Sequence, residues 1–175
     1  MPRTEINLDP VLHLTADAIG KPGQRTFYLQ GGSLEQTVTL ILEKVQLQSL
    51  VIGVEQFSAE IKDKFPDLTE APIEFQPDQM RIQPPLDPLF RVGELGLAYD
   101  AERDRMVIVA REVVNEGQEP DEVSLVRFWC TREQTRVMAA WAAEVISRGR
   151  PICPQCNEPM DPEGHFCPKK NGHKH

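Results

Sequence analysis

The chain has 175 residues, of which 40% are hydrophobic, and it carries a formal net charge of −8 at pH 7. This length and composition suit one domain with a sizeable core plus a small appendage, and they exclude an intrinsically disordered chain. The acidic balance argues against a protein that coats nucleic acid or anionic membrane, because such binding depends on many Lys and Arg side chains near phosphates.

No segment resembles a signal peptide or a membrane span. Residues 1–10 lack an apolar core, and the longest apolar run, around residues 50–54, is far too short to cross a bilayer. We therefore expect a cytoplasmic protein that does not engage a membrane. In a reducing cytosol thiols stay free, so cysteines at ligand spacing indicate a metal site rather than disulfides.

The first half of the chain predicts a hairpin, a third strand and a helix. Strand-like residues 11–19 are followed by a Gly-Lys-Pro-Gly turn and a second strand that starts at Arg25. A third strand is predicted over residues 36–42. From about Lys44 the apolar residues fall at helical spacing, and Pro66 ends the helix.

A proline-rich connector, residues 66–87, follows this helix. Each proline removes a backbone donor and restrains the residue before it, so neither a long helix nor a central strand is expected here. The pattern predicts an extended connector on the surface, with a short edge strand near residues 73–75.

The strand pattern then returns in the second half. Residues 88–110 parallel residues 10–30, and a further strand is predicted over residues 123–130. Thr131 and Gln134 form a capping box that opens the last helix. We therefore predict an α+β fold in which two tandem β-β-β-α repeats form an antiparallel sheet with packed helices.

These repeats occupy about residues 8–65 and 88–148, within a body of residues 1–148. Pro10, Arg25 and Gln46 of the first repeat match Pro88, Arg105 and Gln134 of the second. The alternative is that any two strand-strand-strand-helix segments resemble each other by chance.

The tail, residues 149–175, concentrates the chemistry of the chain. Cys153 and Cys156 form a C-x-x-C pair, and Cys167 and His173 follow, so four ligands can enclose one tetrahedral Zn²⁺ in a closed structural site. Cysteines that merely pack are disfavoured because the proline-rich tail offers almost no core. His165 and His175 remain alternatives to His173 as the fourth ligand. A catalytic zinc would need an open position and a general base, for which Glu163 is the candidate nearby.

The whole chain resembles an uncharacterised, actinobacterial-type bacterial family known only as a domain of unknown function. The residues that carry the resemblance are GKPGQRTFYLQ (20–30), LEKVQ (42–46), PLFRVGELGLAYD (88–100), RFWCTREQ (127–134) and GRPICPQCNEPMDPEGHFCPKKNGH (149–173). The resemblance implies no activity. Asn157 stands where a zinc knuckle most often has Gly, but Asn also tolerates a left-handed backbone.

Five residues outside the tail are candidates for chemistry. Cys130 precedes a helix start, which can lower a thiol pKa, but a buried and inert thiol is the favoured interpretation. Arg25 and Arg105 recur between the repeats, and cross-strand pairing with an acidic residue is favoured over an anion site. His13 is expected on the strand face opposite Leu12 and Leu14, where it and its repeat counterpart Arg91 could flank a cleft for an anionic ligand.

The sequence favours a non-catalytic binding or scaffold protein whose zinc module engages an unidentified protein partner. No catalytic residue and no oligomeric state is predicted. The alternative is an enzyme or ligand-binding protein with an anion site, formed by Arg25, Arg105 and His13, in the cleft between the repeats. A further alternative is weak nucleic-acid binding through the basic side chains of the tail: Lys169, Lys170 and Lys174.

Overall fold

The computed structural model describes residues 3–70, 72–84, 86–149, 153–158, 160 and 167. Within these residues, seven strands and two long helices form an α+β fold. In chain order they are β1 (Glu5–Leu8), β2 (His13–Ile19), β3 (Thr26–Gly32), β4 (Thr37–Leu42), α1 (Lys44–Lys64), β5 (Val92–Asp100), β6 (Arg105–Glu112), β7 (Leu125–Cys130) and α2 (Arg132–Ser147), with short 3-10 helices at Pro77–Met80 and Pro120–Glu122.

The first sheet is antiparallel, with strand order β2-β3-β4, and its two faces differ in polarity. Ala16, Leu29 and Leu40 lie side by side on one face and are fully buried in the apolar core. The opposite face carries a cross-strand row of polar residues that includes Thr15 and Gln30, both also fully buried. Alternation along each strand therefore produces two buried faces, one of which needs hydrogen-bond partners.

The second sheet has the order β1-β7-β6-β5, and β1 pairs with β7 in parallel while the other pairs are antiparallel. Its Phe128 ring packs directly on Gly31 of the first sheet, because a Cβ atom at Gly31 would lie 2.5 Å from Cδ1 of Phe128. Any larger residue at position 31 would separate the two sheets at this point. Both sheets and both helices therefore contribute to one hydrophobic core.

The two long helices form where the apolar spacing predicts them. The buried face of α1 includes Leu47, Leu50 and Val54. In α2 the indole of Trp141 is buried and donates a hydrogen bond of 2.7 Å to the carbonyl of Ala16 in edge strand β2. Within the described part of the chain, neither helix is long and apolar enough to cross a membrane.

Each long helix has a glutamine in its first turn that binds the backbone of the other half of the body. Gln46 accepts a 2.7 Å hydrogen bond from the amide of Glu43 and donates a 3.0 Å bond to the carbonyl of Val92. Gln134 accepts a 2.8 Å bond from the amide of Thr131 and donates a 2.8 Å bond to the carbonyl of Val11. Each glutamine thus closes a helix start and joins the two halves.

The connector after α1 is hydrogen-bonded to the polar face of the first sheet over residues 80–83, where Met80 is buried while Arg81 and Gln83 remain exposed. Thr15 donates to the carbonyl of Met80, whose side chain is buried. Asp17 accepts a 3.2 Å bond from the amide of Ile82. Gln30 accepts from the amide of Gln83 at 2.8 Å and donates to its carbonyl at 3.0 Å. These bonds satisfy the buried polar side chains that face the connector.

Several sequence predictions are refined or corrected. The predicted strands and helices of both halves are observed with bounds shifted by a few residues, but the two halves form two sheets, one of them mixed, rather than a shared antiparallel sheet. The predicted edge strand at residues 73–75 is wrong. Phe75 lies there instead with its ring 5.8 Å from that of Trp141, so the segment is fixed by packing rather than by strand pairing.

A polar cluster joins the β5–β6 turn to the start of α2. Asp104, at φ 50°, accepts a hydrogen bond of 2.7 Å from the hydroxyl of Tyr99. Arg132 donates to both carboxylate oxygens of Asp104, at 2.7 and 3.1 Å. The bond from Arg132, reinforced by the one from Tyr99, lowers the pKa of Asp104 below its ordinary value of 3.8. The ionised form of Asp104 is therefore favoured in the folded protein.

We expect Gln46→Ala to lower the free energy of unfolding by about 1–2 kcal/mol, because it leaves a helix-start amide and a partly buried carbonyl without their partner. Gln48→Ala is the matched control, since Gln48 is exposed two positions further along the same helix. Urea unfolding monitored by circular dichroism measures both. Equal losses in the two variants would contradict the role of Gln46.

Asp104→Asn tests the polar cluster through its pH dependence. Because the folded state lowers the pKa of Asp104, its contribution to stability is fully present above pH 3.8 and is lost as pH falls through the lower folded-state value. We expect a loss of roughly 0.5–1 kcal/mol at pH 7, as for a partly exposed ion pair, and a shrinking difference below pH 3.8. Thermal melts at several pH values measure it, with the exposed Asp67→Asn as control; a difference independent of pH would contradict the assignment.

Candidate metal centre

Three cysteine thiols converge in the tail. The Sγ atoms of Cys153, Cys156 and Cys167 all lie within 4.8 Å of one another, and those of Cys153 and Cys167 are 3.8 Å apart. Two thiolates bound to one tetrahedral zinc ion at ~2.3 Å lie about 3.8 Å apart, so this spacing fits a shared metal. It is too long for a disulfide bond, so the three cysteines are present as thiols.

A tight turn places the first two sulfurs on the same side of the chain. The amide of Asn157 donates to the carbonyl of Cys153 at 2.9 Å, and the amide of Cys153 donates to the carbonyl of Glu158 at 2.9 Å. Asn157 has φ 60°, in the left-handed region that Asn enters more readily than most residues. The side chains of Cys153 and Cys167 are fully buried, whereas Cys156 is half-buried.

The electrostatics of the turn favour a thiolate at Cys153. Burial raises the pKa of Cys153, but hydrogen bonds from the backbone amides of Cys156 and Gln155 outweigh it and bring the pKa to about 6. Burial and the neighbouring thiolate raise the pKa of Cys156. A divalent cation binds such a group favourably, because the cation neutralises the negative charge of the sulfurs as they ionise.

The remaining predicted tail residues lie outside the described part of the chain. These are His173, the predicted fourth ligand; its alternatives His165 and His175; Glu163, the candidate base; and Lys169, Lys170 and Lys174. The described residues therefore supply a three-sulfur cluster, which could hold a metal ion and leaves its fourth ligand as a prediction.

Cys130 belongs to the core rather than to this cluster. It is fully buried at the end of β7, its Sγ lies 3.5 Å from the carbonyl oxygen of Phe128, and burial raises its pKa to about 12. The predicted burial of this thiol is confirmed, and the high pKa disfavours nucleophilic chemistry.

The two recurring arginines do not pair with acidic residues as expected. Arg25 donates to the carbonyls of Val145 and Ile146 at the end of α2, at 2.7 and 3.3 Å, and its guanidinium lies over the ring of Phe27. Arg105 donates to the carbonyl of Asp104 at 3.0 Å, within its own turn. Neither forms an ion pair with a carboxylate of the described residues.

The residues considered for an anion site do not all line the cavity at Arg25. Its described lining includes Arg25, Lys44 and Arg91, but neither Arg105 nor His13. His13 lies on the polar face of the first sheet; its buried Nε2 has no hydrogen-bond partner among the described residues, and burial lowers its pKa. Lys44 was not a candidate from the sequence, because it comes from a separate segment and no sequence spacing connects it with Arg25.

The chain belongs to a family described as "Protein of unknown function (DUF3090)", whose model matches residues 6–167. The matched segment includes all three cysteines of the cluster and ends at the third. No curated protein and no solved structure shows significant similarity to the chain. The family assignment therefore shows relatedness but assigns no activity.

We expect the metal-free protein to bind one Co²⁺ ion per chain with a thiolate-to-metal charge-transfer absorption, because the three sulfurs are already grouped. Cys153→Ser should abolish that absorption, whereas Cys130→Ala, which removes the thiol outside the cluster, should retain it. A spectrophotometric titration measures both. Equal absorption in the two variants would contradict a metal site at the cluster.

Proposed function

We propose that the tail, residues 149–175, folds around one structural Zn²⁺ ion and that the protein is a non-catalytic binding or scaffold protein. The observation that carries the proposal is the group of three thiols, two of them fully buried, with a sulfur–sulfur distance of 3.8 Å. Zinc suits this group because it accepts thiolate ligands in tetrahedral geometry and has no redox chemistry.

The proposed fourth ligand is His173. A set of three thiolates and one imidazole closes the coordination sphere, which leaves no position for a substrate or an activated water molecule. A closed sphere supports a structural role, in which binding of the metal supplies folding free energy that this proline-rich segment cannot obtain from an apolar core. His165 and His175 are the competing ligands.

A protein is the proposed partner of the zinc module, and the proposed location is the cytoplasm. Residues 149–175 carry four basic and three acidic side chains, so the tail is close to neutral whereas the body is strongly acidic. The tail can thus present a surface of different character from the body. The overall charge of −8 disfavours nucleic acid as the main partner, which would otherwise contact Lys169, Lys170 and Lys174.

We also propose that the body arose by tandem duplication of a β-β-β-α unit. The support is the reciprocal contact of the two glutamines: each lies three residues after the residue whose amide it accepts, and each binds the chain entering the first strand of the other unit. Chance similarity of short strands does not account for matching contacts across the two halves.

Affinity capture with four variants tests the proposed function. We expect wild type and Cys130→Ala to retain a protein after nuclease treatment, and Cys153→Ser and His173→Ala to lose it, because the metal-free tail lacks its folded surface. His165→Ala should behave as wild type. The retained proteins are identified by mass spectrometry.

Identical proteins on wild type and Cys153→Ser would refute the tail as the binding surface. Loss of all binding on nuclease treatment would instead favour the nucleic-acid alternative. Elemental analysis of each purified variant reports zinc content, so failure to bind metal and failure to bind a partner are distinguished.

A further inference from the structure

A cavity of about 330 Å³ opens where four separated parts of the chain meet. Three of them contribute a basic side chain: Arg25 from the segment before β3, Lys44 from the first turn of α1, and Arg91 from the segment before β5. The fourth contributes Gly149, which follows α2. Cavities of this size accept small-molecule ligands.

Two of the cations approach each other closely over Gly149. A Cβ atom at that glycine would lie 2.9 Å from Nη2 of Arg25 and 3.3 Å from Nζ of Lys44. The two nitrogens therefore lie no more than about 6.2 Å apart, since both are measured from one point. Like charges this close repel each other unless an anion lies between them.

The acidic residue in the cavity does not balance this pair. Glu43 is the only carboxylate among the described lining residues, and it pairs with Arg91 at 3.2 Å. Arg25 bonds to neutral carbonyls, and Lys44 has no carboxylate within ion-pair distance in the described part of the chain. The positive charges of Arg25 and Lys44 therefore have no carboxylate partner among the described residues.

We infer that this cavity binds a phosphomonoester dianion, with Arg25 and Lys44 donating hydrogen bonds to its phosphate oxygens. Two donors no more than about 6 Å apart can reach different oxygens of one phosphate, and two unbalanced positive charges match its charge of nearly −2. A carboxylate would neutralise only one of them. The volume leaves room beside the phosphate for a small organic group.

The site goes beyond a scaffold role. It differs from the cleft predicted from the sequence because its described lining adds Lys44 and contains neither Arg105 nor His13. Arg25 already stabilises the end of α2, so its removal would damage the fold as well as the site. Lys44 is exposed and makes no such contact with the described residues, which makes it the residue to change.

Methyl phosphate and dimethyl phosphate are the probes, added at pH 8 to ¹⁵N-labelled full-length protein at constant ionic strength. We expect methyl phosphate, the dianion, to shift the amide resonances of Gly23, Lys44 and Gly149, and dimethyl phosphate, the monoanion, to bind at least fivefold more weakly. Lys44→Gln should weaken methyl phosphate binding about tenfold, as loss of a charge-assisted hydrogen bond does.

Two further variants separate the site from general electrostatics. Lys64→Gln makes the same charge change at the other end of α1 and should leave the affinity unchanged. Gly149→Ala keeps the net charge but forces the guanidinium of Arg25 to move, so it should also weaken binding. Equal affinity of wild type and Lys44→Gln, equal weakening by Lys64→Gln, or equal binding of the two probes would overturn the assignment.

Discussion

The reciprocal bonds of Gln46 and Gln134 are the constraint on which the relation between the two halves depends. Each amide closes a helix start with its oxygen and holds the entry of the other half's first strand with its nitrogen. Backbone hydrogen bonds also join the two halves: the amide of Val11 donates to the carbonyl of Trp129, and the amide of Ile41 donates to the carbonyl of Phe90. A shift of either helix along its axis would break bonds in both halves at once.

The same requirement, that buried polar groups find partners, explains the path of the connector. The polar face of the first sheet would be costly to bury on its own. Gln30 solves this by bonding to both the amide and the carbonyl of Gln83, as a neighbouring strand would, and Asp17 takes the amide of Ile82. A proline-rich segment can supply these hydrogen-bond partners because only a few of its backbone groups take part. Those groups belong to residues that are not proline.

Short-range sequence patterns predicted the elements that residues close in the chain stabilise. They did not predict the features that form where distant segments meet. The apolar spacing of α1 and the Thr131–Gln134 capping box identified both helices, since these depend on residues three or four apart. Strand β1 was not predicted because it has only four residues, too few for their polar–apolar alternation to stand out, and because its parallel pairing to β7 requires no adjacent turn. The cysteine spacing predicted the sulfur cluster, whereas the cavity around Arg25 unites residues 25, 44, 91 and 149, which no sequence pattern connects.

The sulfur cluster and the cavity are close in the chain although they differ in chemistry. Gly149 bounds the cavity, and Cys153 follows only four residues later. A metal ion held by Cys153 would fix the chain just beyond that glycine, and the carbonyls at the end of α2 that Arg25 binds lie just before it. Such a metal would constrain Gly149 from the side opposite to α2. The folding of the tail would therefore affect the shape of the cavity through the position of Gly149.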